Sequence, residues 1–159
     1  PAAGRGERRQ IQLADGRFEL IDDSYNANPT SMAAAFDVLG RARLSAQGRR
    51  IAALGDMLEL GVHSADMHAG LAQPIREAGI HQVFTCGPEM AALDAALPEQ
   101  LRGGHAEDSA TLGDLVAAGV RAGDVVLVKG SAGAKMGKVV AALDALNRAG
   151  GSQEGDHAS

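Results

Sequence analysis

Residues 124–146 read DVVLVKGSAGAKMGKVVAALDAL, and their pattern decides the fold. A short apolar run, VVLV, ends in the glycine-rich KGSAGAKMG, after which apolar residues return at helical spacing. The order of strand, polar loop and helix recurs upstream. RIAALG (50–55) precedes SADMHAGLAQPIREAG (64–79), HQVFTCG (81–87) precedes PEMAALDAAL (88–97), and a shorter strand near RGGHA (102–106) precedes SATLGDLVAAGV (109–120). Short apolar strands alternating with amphipathic helices predict an α/β domain on a mostly parallel, doubly wound sheet.

The amino-terminal part is built differently. RRQIQL (8–13) and RFELIDD (17–23) flank ADGR, whose Asp-Gly step suits a tight turn, so a β-hairpin is expected there. NPTSMAAAFDVLGRAR (28–43) follows as a helix, with Asn28 as its cap and Pro29 at its first position. Residues 64–79 are expected to form one helix, kinked at Pro74 and ended by Gly79. The last helix is expected over AKMGKVVAALDALNRAG (134–150), and the small polar tail GSQEGDHAS is expected to be disordered.

Composition narrows the function. With 159 residues and 45% apolar side chains, one compact domain is the expectation, with residues 1–149 as the domain and 150–159 as the tail. A formal net charge of −5 lacks the basic stripe that nucleic acid requires, so no nucleic-acid partner is expected. The single cysteine rules out an intramolecular disulfide and a multi-cysteine zinc site, and it fits a reducing cytoplasm. No apolar run approaches the ~18 residues of a membrane span, so no membrane insertion is expected. PAAGRGER enters the first strand abruptly and without an initiator methionine, which leads us to expect a piece of a longer protein.

In an open parallel sheet, ligands bind beyond the carboxyl ends of the strands. Three unusual loops fall at such ends: DDSYNANP (22–29), GDMLELG (55–61) and KGSAGAKMG (129–137). The last is a poor P-loop, because Gly130 and Gly137 are seven apart and Val139 stands where a magnesium-binding hydroxyl belongs. It retains Lys129 and Ser131, a pair suited to an anion. GDMLELG offers Asp56 and Glu59 to an amine, with His68 beyond. His63 and His68 are five apart and do not share a helix face, so no metal is assigned to them. DDSYNANP is the most specific, because a cap and a solvated strand end explain Asn28 and Asp22 but leave Asp23, Tyr25 and Asn26 without a role.

DDSYNANPTSM, LGDMLELG with the later His68, and VLVKGSAGAKM occur in that order and resemble the C-terminal domain of the Mur ligases, MurF type. The resemblance runs from PAAGR to the final helix. It implies a Rossmann-like three-layer domain and, in the whole protein, preceding UDP-sugar and central ATPase domains that this chain lacks. It also implies the activity: ATP phosphorylates the carboxylate of UDP-N-acetylmuramoyl-tripeptide, and D-alanyl-D-alanine attacks the acyl phosphate in peptidoglycan precursor synthesis. ATP and Mg2+ would be held mainly by the central domain, which is this domain's partner, and the isolated chain is expected to be inactive.

By the same resemblance, Arg5 reaches the ATP phosphates and Asp23 the ribose, with Tyr25 and Asn26 beside the nucleotide. Asn28, Asp56, Glu59, His68, Lys129 and Ser131 line the acceptor region; on charge grounds, Lys129 or Ser131 is expected to take the acceptor's free carboxylate and an acidic residue its amine. A sister Mur ligase, a folylpolyglutamate synthase relative and a non-catalytic Rossmann-like binding module are the other readings.

Overall fold

The computed structural model describes residues 3–148. Its six strands are β1 (Glu7–Leu13), β2 (Gly16–Asp23), β3 (Arg50–Gly55), β4 (Gln82–Cys86), β5 (Arg102–Ala106) and β6 (Val125–Lys129). They form one sheet in the order β1-β2-β6-β3-β4-β5. β1 and β2 are the expected antiparallel hairpin, and every other pairing is parallel. The helices are α1 (Pro29–Gly40), α2 (Ser64–Ala69), α3 (Ala72–Glu77), α4 (Ala91–Ala96), α5 (Ser109–Gly119) and α6 (Gly137–Asp144).

Two apolar clusters make three layers. Met32, Phe36 and Leu39 of α1, with Ile75 of α3 and Leu93 of α4, pack on Ile21, Ala52, Leu54, Val83 and Leu127. On the opposite face, Leu112 and Val116 of α5 and Val139 and Leu143 of α6 pack on Leu20, Ile51, Phe84, Val126 and Val128. The alternation within VVLV thus feeds both cores, as a strand covered on two sides requires.

Several boundaries differ from the sequence reading. Residues 64–79 form two short helices, α2 and α3, rather than one. The break falls at Gly70–Leu71 and not at Pro74, which lies in the first turn of α3, where a missing N–H costs nothing while its ring opposes continuation of the preceding turn. α1 stops at Gly40, where a β-carbon would meet the Ala78 carbonyl oxygen at 2.8 Å, so the helix end is pressed against the end of α3. α6 begins only at Gly137, because Ala132–Ala134 form a 3-10 turn closed by Lys135 in the left-handed region, at φ 58°. The expected disordered tail lies outside the described residues.

Topology sets the stage for function. β6, the last strand in the chain, inserts between β2 and β3, so the loops after β2, β6 and β3 lie side by side. Helices leaving β2 and β3 cover one face and the helix leaving β6 covers the other, which makes this the switch point of the sheet.

Candidate functional site at the carboxyl ends of β2, β6 and β3

Lys129 ends β6 opposite Asp23 on one side and Leu54 on the other. Its side chain is 4% exposed, and its ammonium donates to Asp23 Oδ2 at 2.7 Å and to the Asn26 carbonyl at 3.0 Å. The next residue must be glycine: a β-carbon on Gly130 would meet Met136 Cγ at 2.6 Å and Gly55 Cα at 3.1 Å. Ser131 then ties the three loops together. Its amide donates to the Asp56 carbonyl, its hydroxyl donates to the Ala27 carbonyl at 3.2 Å, and the hydroxyl oxygen accepts from the Leu58 amide at 2.9 Å.

The loop after β3 is pinned by two further buried groups. Asp56 Oδ1 accepts from the Met90 amide at 2.8 Å and Oδ2 from the Glu89 amide at 3.3 Å, so its charge is held at the start of α4. It lies so close to Gly87 that a β-carbon there would stand 2.4 Å from Oδ1. His68 is fully buried, with Nε2 accepting from the Met57 amide at 3.0 Å and Nδ1 2.8 Å from the Ser64 carbonyl. Those partners require a neutral ring protonated on Nδ1. The Ser64 hydroxyl donates to Glu89 Oε1 at 2.6 Å, extending the network to the β4 loop. Glu59 is exposed with φ 63°, a conformation uncommon for a residue bearing a side chain.

The loop after β2 carries its polar groups outward. Asn28 caps α1 through a reciprocal pair with Ser31, its Oδ1 accepting the Ser31 amide at 2.8 Å. Asn26 Oδ1 accepts the Ala27 amide, and Tyr25 is 52% exposed. The Arg5 guanidinium stacks 4.0 Å above the Tyr25 ring centroid, a cation–π contact. Backbone bonds from Gly6 N to Asp22 O and from Tyr25 N to Gly4 O lace the amino-terminal segment to this loop. Asp22, on the opposite face of β2 from Asp23, accepts from the Ser24 amide and hydroxyl.

Lys129, Ser131, Asp23, Asn26 and Asp56 therefore converge through direct bonds, while Arg5 and Tyr25 stand at one edge and Glu59 at another. Two cavities flank this knot. A larger one, of about 350 Å³, lies between the loops after β3, β4 and β5 and the start of α6. A smaller one, of about 280 Å³, lies between Gly4, Tyr25 and the α6 start. Lys135 lines both. The sequence reading passed over Lys135, Lys138, Glu107 and Asp108 because the β4 and β5 loops carry no motif that sets them apart. Its one signal was the second lysine in KGSAGAKMG. Among the described residues there is no group of His, Cys, Asp and Glu suited to a metal, and no helix is long and apolar enough to cross a membrane.

A mostly parallel three-layer sheet with its polar loops gathered at one switch point defines a Rossmann-like α/β domain of the ligand-binding class. Residues 4–132 match the family described as Mur ligase, glutamate ligase domain, and the chain belongs to that family. It is 38% identical over 135 residues to the UDP-N-acetylmuramoyl-tripeptide--D-alanyl-D-alanine ligase of Escherichia coli K12, covering 84% of this chain and 28% of that protein. A crystal structure of MurF from Acinetobacter baumannii superposes with a TM-score of 0.71 at 29% identity, covering 91% of this chain and 31% of that one. MurF ligase from Thermotoga maritima has the same fold, with a TM-score of 0.74 at 24% identity over 92% of this chain and 31% of that one. The chain thus spans about a third of the length of these relatives.

Proposed function

We infer that this chain is the C-terminal domain, residues 1–149 with a short tail, of a longer cytoplasmic ATP-dependent ligase of MurF type. The ligase joins D-alanyl-D-alanine to UDP-N-acetylmuramoyl-tripeptide through an acyl phosphate, in peptidoglycan precursor synthesis. One observation carries the reading: the three loops that resemble the family motifs are bonded into one surface by Lys129 and Ser131, the Lys129–Asp23 pair alone bridging 106 positions of sequence. The names of the relatives support the choice of acceptor.

The chain's own residues divide by exposure. Arg5, Tyr25 and Asn26 are exposed, and Tyr25, with Arg5 stacked on its ring, lines the smaller cavity; there Arg5 meets the ATP phosphates and Tyr25 the nucleoside, a guanidinium suiting the charge that develops in phosphoryl transfer. Asp23 stands behind them, 25% exposed, holding Lys129 and retaining an oxygen for a ribose hydroxyl. Asp56, His68, Lys129 and Ser131 are buried and spend their polar atoms inside the domain, Asn28 spends its side-chain oxygen capping α1 at the surface, and together they give the acceptor region its shape, with exposed Glu59 facing the acceptor. ATP and Mg2+ sit mainly on the central domain. Closure of this domain over it shields the acyl phosphate from water and brings the amine into reach.

The test is ADP release by the full-length ligase supplied with ATP and UDP-N-acetylmuramoyl-tripeptide, with D-alanyl-D-alanine compared against single amino acids. Stimulation by the dipeptide supports the reading. Stimulation by a single amino acid moves the chain to a sister Mur ligase, and no stimulation by any acceptor returns it to a binding module.

A further inference from the structure

The net charge of −5 conceals a polarity along the sheet. Asp23, Asp56, Glu59, Glu107 and Asp108 lie at the carboxyl ends of the strands. Six arginines, Arg17, Arg41, Arg43, Arg49, Arg50 and Arg121, lie at the opposite end, in or beside the turns that enter β2, β3 and β6, with Asp15, Asp37 and Asp124 among them. These turns form one surface. The Gly123 amide donates to the Arg17 carbonyl at 2.8 Å, and a β-carbon on Gly48 would meet the Gly123 carbonyl oxygen at 2.8 Å and the Leu44 β-carbon at 3.1 Å.

Part of this charge is structural. Helices end here with carbonyls that lack an intrahelical partner, and arginine supplies one. Arg50 donates to the Leu39 and Ala42 carbonyls at the end of α1, and Arg49 donates to the Gly119 carbonyl at the end of α5 and to Asp124. Arg41 pairs with Asp37 one turn earlier in the chain. The guanidinium groups of Arg17, Arg43 and Arg121 are left over. All three residues are exposed, and none of the three groups has a hydrogen-bond or ion-pair partner among the described residues. Among the described residues, no large exposed apolar side chain falls within 14–17, 41–50 or 120–124.

We propose that this end of the domain docks on an anionic phospholipid surface, with Arg17, Arg43 and Arg121 meeting the headgroup phosphates. Lipid binding of this kind is independent of the ligase reading above. A protein partner calls for an apolar centre, which these turns do not expose. A nucleic acid is held by tracking many phosphates and, when single-stranded, by stacking on aromatic rings; these turns contain no aromatic residue, and the acidic remainder of the chain opposes a long polyanion. A bilayer surface meets one end of the domain only, and charge without apolar side chains binds it through its phosphates without penetration. Docked this way, the acidic end points away from the like-charged lipid and the polar loops after β2, β6 and β3 stay open to solvent.

The experiment sediments the full-length protein that contains this chain with vesicles of phosphatidylglycerol and phosphatidylcholine in equal parts, or of phosphatidylcholine alone, at low salt and at physiological salt, where the Debye length falls to about 8 Å. The wild type should bind the anionic vesicles and not the neutral ones, and more weakly as salt rises. Each arginine at such a surface is worth about fivefold, so Arg17→Gln, Arg43→Gln and Arg121→Gln combined should weaken binding about a hundredfold. With no partners to lose, that variant should melt with the wild type. Lysine at the same three positions should preserve binding, because the surface reads charge. Lys135→Asn with Lys138→Gln, which removes two cations from the other end, should bind like the wild type. Equal binding to both kinds of vesicle, or anionic binding unaltered in the triple glutamine variant, overturns the proposal. Retention of the wild type on polyglutamate or single-stranded DNA without binding to either vesicle also overturns it, and gives the patch to an acidic protein or a nucleic acid.

Discussion

Replacing Lys129 by methionine tests the physical core of the site. Methionine keeps the apolar stem of a side chain that is only 4% exposed and removes the ammonium that donates 2.7 Å to Asp23 Oδ2 and 3.0 Å to the Asn26 carbonyl. Breaking a buried ion pair from one side costs about 3–5 kcal/mol, because the remaining charge is left without a partner. Asp23 is 25% exposed and recovers part of its hydration, which places the expected loss at about 2–3 kcal/mol. For a domain of this size that lowers the melting temperature by about 5–10 °C. Calorimetry or thermal circular dichroism of the 159-residue chain reads it directly. Asp23→Asn in the same chain should return part of the loss, since no lone charge then remains, and the double-mutant cycle should give a coupling above about 1 kcal/mol. If Lys129→Met melts within about 1 °C of the wild type, or the cycle is additive, the pair is not what holds the three loops together.

Two further outcomes follow from the same structure. Asp124, at the opposite end of the sheet, is fully buried and accepts from Arg49 Nε at 3.0 Å, Arg49 Nη2 at 2.8 Å and the Arg121 amide at 2.7 Å. Asp124→Asn should destabilise the chain by about 2–4 kcal/mol in urea unfolding while leaving the acceptor KM of the ligase unchanged; a changed KM would mean the two ends are coupled. Burial pushes the Cys86 thiol up from 9.0 to about 12, with Asp56 and Asp108 adding to the effect. Between those values the unfolded thiol ionises before the folded one, so its contribution to stability is complete below pH 9 and is lost as pH rises toward 12. Cys86 should therefore resist alkylation at pH 8 until urea unfolds the chain, and rapid labelling of the native protein would contradict the burial.

Much of the architecture was legible because it is local. The Asp-Gly step placed the hairpin, Asn28 and Pro29 placed the start of α1, and VVLV announced a strand covered on both faces. Helix ends were less legible where a neighbour decides them. Gly40 ends α1 against Ala78, and the 64–79 segment breaks at Gly70–Leu71, although Pro74 was the more obvious signal. In the site, the loops were found by composition, but the division of labour within them was not. Lysine in a glycine-rich loop reads as a ligand-binding group, and only its neighbours reveal that Lys129 is an internal cation while Lys135 and Lys138 remain open to a cavity.

By itself, then, the sequence determined the alternation of strands and helices, the positions of the three polar loops and the resemblance to the Mur ligase family, all properties carried by short windows of residues. Tertiary structure decided that β6 lies between β2 and β3, and hence that Lys129 meets Asp23 and that Ser131 meets Ala27 and Leu58. The physical reason is that periodicity specifies which face of an element is apolar but not which distant strand shares its edge. That choice comes from long-range pairing and from packing two helical layers on one sheet.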